Sequence, residues 1–257
     1  MRGARRWWVG SALVLTLAMV VAGCGMAGGA ARATPTTAIP THAQPTATLA
    51  VPSHTVEFTT PDGLRLRGTL YGSGTVGVAL SHQSDGTQNQ WSGFARQLAA
   101  HGYMALAFDF RGRNTSEGPA DTAKEDIDLR AAIRFLRTQG ATRIALMGAS
   151  LGGAVTLRVA ATESVVAVAT LSAVAWWPSQ PVTDEILKTI KAPKLFINST
   201  LDDDASSTQH MYDVASPPKD VHIYPGRAHG VGIFSGDYGS DLIQRLLTFM
   251  DTYAPAT

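Results

Sequence analysis

Gly148-Ala149-Ser150-Leu151-Gly152-Gly153 stands between two stretches that obey different rules. Before it runs Arg143-Ile144-Ala145-Leu146-Met147, short and apolar, the pattern of a buried strand. After it runs Ala154 to Ala161, rich in Ala, Val and Leu and read as a helix. A strand, a Gly-x-Ser-x-Gly turn and a helix make a nucleophile elbow. The turn is too sharp for side chains at its flanks, so glycine stands there and the serine projects outward. The helix behind it leaves backbone N–H groups free to meet negative charge. A match to the five-residue pattern arises by composition alone in roughly one chain in ten or twenty. The surrounding sequence therefore has to carry the reading.

The chain has 257 residues, a net charge of +1 and 16% charged residues. One domain with extensions fits that length. The balanced charge leaves no basic footprint for nucleic acid. The only cysteine is Cys24, which excludes an intramolecular disulfide.

The N-terminus reads as a targeting segment. Arg2, Arg5 and Arg6 precede an almost wholly apolar run from Trp7 to Ala22, the layout of a secretory signal. The run is short for a bilayer span, which leaves a single-pass anchor as the alternative. Val21-Ala22-Gly23-Cys24 resembles a bacterial lipobox, in which the cysteine is lipidated and becomes the mature N-terminus. The expected organisation is a lipoprotein-type signal peptide over 1–23 and a disordered Ala/Thr/Pro-rich tether over 24–53. A globular domain follows over 54–257. That predicts an exported protein held on the extracytoplasmic face of a membrane through lipid on Cys24.

Within the domain, Val56 to Thr60 and Leu64 to Leu70 alternate around Pro61-Asp62-Gly63, a β-hairpin. Further strands are expected at Val76–Leu80, Met104–Phe108, Arg143–Met147, Val165–Leu171, Lys194–Asn198 and Asp220–Tyr224. Trp91, Phe94, Ala95 and Leu98 carry helical spacing, as do Leu129, Ile133 and Leu136, and then Ile243, Leu246, Leu247 and Met250. Strand–helix alternation after an opening hairpin predicts an α/β fold. Its sheet should have eight strands, mostly parallel, with helices on both faces.

With those residues in view, the domain resembles the α/β-hydrolase family, in its lid-poor, dienelactone hydrolase and esterase-like form. The resemblance rests on the Ser150 elbow after strand five and on Leu80-Ser81-His82-Gln83 leaving strand three. It rests also on Asp109-Phe110-Arg111-Gly112-Arg113-Asn114-Thr115-Ser116 leaving strand four and Gly226-Arg227-Ala228-His229-Gly230 leaving strand eight. Asn114 stands where the family has a second glycine, and Gln83 stands where it often has the glycine after histidine.

The resemblance implies a catalytic triad in the order Ser, acid, His. Ser150 is the implied nucleophile and His229 the implied base, the histidine that follows the final strand. Asp202 is the implied acid, with Asp203 as the alternative in the run Asp202-Asp203-Asp204. Backbone N–H groups of Leu151 and Gln83 are the implied oxyanion hole. Trp176 and Trp177 either line a substrate pocket or pack in the core. His82 reads as support for the strand-three turn, and Asp109 and Arg111 as support for the strand-four loop. No metal cluster and no dinucleotide fingerprint is visible in the sequence, so no metal and no cofactor is expected. The implied activity is cleavage of small-molecule carboxylic esters through an acyl-enzyme. An acyltransferase or peptidase on the same triad, or a binding lipoprotein without turnover, are the competing readings. Substrate identity and protein partners are not encoded legibly.

Overall fold

The structure is a computed structural model that describes residues 51–177 and 180–256. The apolar N-terminal run, Cys24 and most of the tether lie outside the described residues. No described helix is long and apolar enough to cross a membrane.

Eight strands form one sheet. In chain order they are β1 (Ser53–Thr59), β2 (Arg65–Tyr71), β3 (Val76–Ser81), β4 (Met104–Phe108), β5 (Arg143–Ala149), β6 (Ala167–Leu171), β7 (Lys194–Ser199) and β8 (Lys219–Tyr224). The helices are α1 (Ser92–Ala100), α2 (Glu125–Thr138), α3 (Leu151–Ala160), α4 (Asp184–Thr189), α5 (Ala205–Val214) and α6 (Gly239–Tyr253). The strands lie in the order β1-β2-β4-β3-β5-β6-β7-β8. The hairpin pairs β1 with β2, and β2 joins β4 antiparallel; every later pairing is parallel.

Alternation along the central strands builds two cores. Ala79, Leu106, Leu146, Val168 and Phe196 face one way and meet Leu129, Ile133, Val155, Leu187 and Met211 of α2 to α5. Val78, Leu80, Ala105, Met147, Ala169 and Ile197 face the other way and meet Phe94, Leu98, Leu242, Leu246 and Met250 of α1 and α6. Side chains alternate across a pleated strand, so a strand apolar at every position must be covered on both faces. The strand-six run begins at Ala167 rather than Val165. Val165 and Val166 are only half-buried, and the Val166 N–H reaches Ile144 O at 2.8 Å on the way in.

The loop after β4 is tied down by charge. Asp109 accepts from Gln88 N and Nε2, both at 2.8 Å, and from Asn114 Nδ2 at 3.0 Å. Asn114 sits at φ 47°, a left-handed position that asparagine tolerates better than most residues. Buried Arg111 forks between Asp128 of α2 (2.6 Å) and Asp62 in the hairpin turn (2.8 Å). The guanidinium holds the Asp62 carboxyl well below the usual carboxylate range.

Glu125, in the first turn of α2, is 1% exposed, and its Oε2 has no hydrogen-bond partner among the described residues. Burial, reinforced by the Asp128 charge, pushes its carboxyl up to about 7. The native state therefore keeps a proton that the unfolded chain releases near its ordinary value. Stability falls as pH rises between those two values and is lowest above the upper one. Glu125→Gln removes the titration. It is expected to flatten that slope and to raise stability at pH 8 by up to roughly 3 kcal/mol. Thermal melts of both proteins at pH 5 and pH 8 test this, and an equal loss of stability in both would refute it.

Candidate active site

Ser150, Asp202 and His229 all lie just beyond the carboxyl ends of parallel strands. In open α/β sheets the binding crevice lies there, beside the point where the chain changes direction across the sheet. Here the chain passes from β4, on one side of β3, to β5 on the other.

Ser150 joins β5 to α3 at φ 53° and ψ −121°. A non-glycine residue is strained there, by about 1–3 kcal/mol, and persists only because its surroundings hold it. The Ser150 N–H donates to Leu171 O at 2.9 Å, and Ser150 O accepts from Gly153 N at 3.0 Å and Ala154 N at 3.1 Å. A Cβ on Gly148 would strike Gly152 O, and one on Gly152 would strike Ser81 O and His82 O. The loop after β3 thus packs directly on the elbow, and glycine alone permits the approach.

His229 follows β8. Its Nδ1 lies 2.7 Å from Asp202 Oδ2. The Asp202 side chain is 1% exposed and that of His229 38%. The second oxygen, Oδ1, accepts the Asp204 N–H at 2.8 Å, so both carboxylate oxygens are used. With Nδ1–H given to the carboxylate, the imidazole presents Nε2 as its free acceptor. Asp203, the neighbouring candidate, is exposed. Burial and the adjoining Asp202 raise the Asp204 carboxyl. A Cβ on Gly230 would lie 3.3 Å from Ala149 Cβ. The residue after His229 thus packs against the residue before Ser150, and the serine and histidine turns share one crevice.

The two oxyanion candidates differ. Leu151 opens α3, so its N–H belongs to the first helical turn, which has no intrahelical acceptor. The Gln83 N–H already has a partner, Gln90 Oε1 at 3.3 Å. A substrate oxygen would have to displace that amide to use it. His82 donates from Nδ1 to Gln83 O at 2.6 Å and accepts the Phe110 N–H on Nε2 at 3.1 Å. Burial lowers its pKa, and the neutral ring ties the β3 turn to the β4 loop.

The tryptophans part company. Trp176 is 72% exposed, which rules out core packing for it. Trp177 donates from its indole to Thr122 Oγ1 at 3.1 Å and fastens the post-β6 loop to the segment before α2. Arg158 strengthens the same join, reaching Asp126 at 2.7 Å and Gln180 O at 2.8 Å. A cavity of about 270 Å³ opens beside the acid, lined by Leu201, Asp202, Asp203, Asp204, Arg227 and His229.

Asp202, Asp204 and His229 also place ligand-type atoms within 4.8 Å of one another. The Asp202–His229 hydrogen bond and the Asp204 N–H occupy Asp202, so a cation there would have to break the pair.

Sequence reasoning missed three side chains at this site. Gln90 covers the Gln83 N–H, while Ser172 and Asn198 lie buried behind the histidine turn. Ser172 directly follows a strand, as Ser150 and Thr200 do, and that position was the one available signal.

A mostly parallel sheet, a strained serine elbow on its fifth strand and a histidine–carboxylate pair beyond its last two strands define one class of protein. The chain matches the Alpha/beta hydrolase family over residues 77–220 and belongs to that family. It is 35% identical over 133 residues to a polyketide transferase of a Penicillium species, covering 46% of this chain and 44% of that protein. It is 30% identical over 156 residues to a cutinase of Thermobifida alba, covering 56% of this chain and 48% of that protein. The chain spans about half the length of the curated relatives it matches. An esterase of Pyrococcus furiosus superposes with a TM-score of 0.67 at 21% identity, over 79% of this chain and 93% of that one. A serine hydrolase without a lid from Xanthomonas campestris superposes with a TM-score of 0.65 at 21% identity, over 80% and 96%. At such identities the structures attest the fold.

Proposed function

We propose that the protein is a serine hydrolase that cleaves carboxylic esters. The observation that carries the reading is the 2.7 Å contact between His229 Nδ1 and buried Asp202 Oδ2, in the crevice that holds the Ser150 elbow. His229 Nε2 takes the Ser150 Oγ proton as Oγ bonds to the ester carbonyl carbon. The resulting oxyanion is met by the Leu151 N–H and, once Gln90 gives way, by the Gln83 N–H. The C–O bond to the alcohol breaks, and His229 returns the proton to the leaving oxygen. Water, deprotonated by His229, then attacks the acyl-enzyme, and the acid departs as Ser150 regains its proton. The cutinase among its relatives supports an ester as substrate.

A fluorophosphonate should label the protein, with the mass shift mapping to Ser150, and an activated ester should give a burst. Labelling elsewhere, or none, would overturn the assignment. The polyketide transferase, and a thiohydrolase of Arthrinium phaeospermum that is 37% identical over 119 residues, keep acyl transfer and thioester cleavage as the second reading. Product analysis with competing alcohols separates transfer from hydrolysis.

Export as a lipoprotein is part of the same proposal, supported by the Val21-Ala22-Gly23-Cys24 stretch behind an apolar run. Radiolabelled palmitate is expected to enter the wild type and not Cys24→Ala. Equal labelling of the two would refute the anchor.

A further inference from the structure

The turn that carries His229 has side chains on it at every residue from 228 to 231. Ala228 O accepts from Ser199 Oγ at 2.7 Å. His229 Nδ1 meets Asp202 at 2.7 Å. The Gly230 N–H donates to Ser172 Oγ at 2.9 Å. The Val231 N–H donates to Gln83 Oε1 at 2.8 Å. These partners come from the ends of three strands: β7 supplies Ser199 and leads into Asp202, β6 leads into Ser172, and β3 leads into Gln83.

We propose that Gln83 and Ser172 are positioning residues, a two-point clamp on the amides that follow His229, which sets the imidazole against Ser150. The proposal rests on reading Ser150, His229 and Asp202 as a hydrolytic triad. Neither clamp side chain is called on to touch substrate.

Three observations carry it. First, the clamp is built rather than incidental. Ser172 is fully buried at φ 48°, a strained conformation for a residue with a side chain. Its hydroxyl works in both directions: it accepts from Gly230 and donates to Asn198 Oδ1 at 2.7 Å. Asn198 in turn accepts the Ser199 N–H at 2.7 Å and donates to Thr208 Oγ1 at 2.8 Å. A satisfied buried polar network of this kind specifies one arrangement. Second, Gln83 reaches across from the opposite side of the crevice. Its Nε2 is steadied by Asp85 Oδ1 at 3.2 Å, and its Oε1 sits where a Cβ on Gly230 would be. Only glycine at 230, itself at φ 53°, lets the glutamine in. Third, Gln83 also belongs to the β3 turn, whose backbone N–H is an oxyanion candidate. One residue therefore ties the oxyanion side of the crevice to the base side. Its side chain gives a reason for glutamine in place of the glycine common in the family.

The test removes each acceptor and reads the matching amide. Gln83→Leu keeps bulk and loses the oxygen. Ser172→Ala loses the hydroxyl, and Ser172→Gly is the companion because glycine accepts the φ 48° backbone without strain. Each amide loses its acceptor, the buried one at Gly230 and the half-buried one at Val231. Hydrogen exchange is therefore expected to speed up about tenfold or more at Val231 in Gln83→Leu and at Gly230 in the Ser172 variants. Loss of aim should lower kcat for an activated ester by about 10–100-fold, with KM within about twofold. Gln83→Glu keeps an oxygen for Val231 and should restore its protection. Its carboxylate, two residues from His229 through that bond, should move the acidic limb of the kcat/KM profile to higher pH. A merely structural role would not separate kcat from KM or shift that limb. Unchanged exchange at both amides, or kcat at the wild-type value in folded variants, would overturn the clamp. The exchange readout needs no turnover. If Ser150 proves dispensable, the hydrolase reading falls, while the amide data still show whether the two side chains hold the turn.

Discussion

Replacing Ser150 by alanine is expected to lower kcat for an activated ester by about 10⁴–10⁶-fold, and to abolish fluorophosphonate labelling, in a protein that still folds. The size follows from how the parts work together. Without Oγ there is no acyl-enzyme, and His229 has no proton to take. What remains is transition-state binding by the oxyanion donors and whatever positions the substrate. The backbone supplies a second measurement on the same residue. Ser150 sits at φ 53° and ψ −121°, held by Leu171 O and by the first turn of α3. Alanine removes the hydroxyl and keeps the strain, whereas glycine removes both. Ser150→Gly should thus be as inactive as Ser150→Ala and melt at a higher temperature. The gain is up to about 2 kcal/mol after the entropy cost of glycine is subtracted. Circular dichroism melts beside a burst assay give both answers. Substantial turnover in either variant would refute the nucleophile, and a lower melting temperature for the glycine variant would refute the strain.

The elbow was legible because it depends on local rules. A buried parallel strand must be apolar throughout, a sharp turn needs glycine at its flanks, and the two periodicities change at Gly148. The same logic located the other strands to within two residues, except β1, which begins at Ser53, three residues before the expected Val56. It erred at Val165 and Val166, where apolar type was read as strand although the pairing with β5 begins at Ala145↔Ala167. It was least informative at Trp176, because a large apolar side chain is not obliged to be buried. The family resemblance implies the Gln83 N–H as an oxyanion donor, yet that N–H has an acceptor seven residues away on the 3-10 turn Gln88–Trp91. Ser172 has only its place after a strand as a local signature, and Asn198, inside β7, has none. A serine at a strand end reads as a turn residue, and its value appears only once β6, β7 and the histidine turn are brought together. Local chemistry thus places the proposed nucleophile, whereas long-range hydrogen bonds hold the turn of the proposed base.

The adjacent acids show the same division and support the second large effect. Asp202→Asn is expected to lower kcat by about 10³–10⁴-fold, whereas Asp203→Asn should stay within about twofold of wild type. Composition admits both residues, and the family's strand-end spacing favours Asp202 with Asp203 as the alternative. The turn that ends β7 sets them apart: the Asp202 N–H returns to Ser199 O at 3.2 Å and turns the carboxylate inward, to 8% exposure for the whole residue. There it meets His229 and the Asp204 N–H, while Asp203 faces solvent. Asparagine at 202 would be nearly isosteric, so the loss is electronic. Its Oδ1 can still accept the Asp204 N–H, but its NH₂ then faces His229 Nδ1. A donor opposite Nδ1 selects the tautomer that carries its proton on Nε2, the nitrogen required to receive the proton from Ser150. The base is then occupied at the moment it is needed, and the imidazolium formed during attack has lost its counter-charge. Raising the pH cannot restore the lost rate, because the defect is the position of a proton and not its affinity. A pH–rate profile of Asp202→Asn should therefore lie below that of wild type across the whole range, with intact melting behaviour. A large loss in Asp203→Asn with near-normal turnover in Asp202→Asn would transfer the role to Asp203.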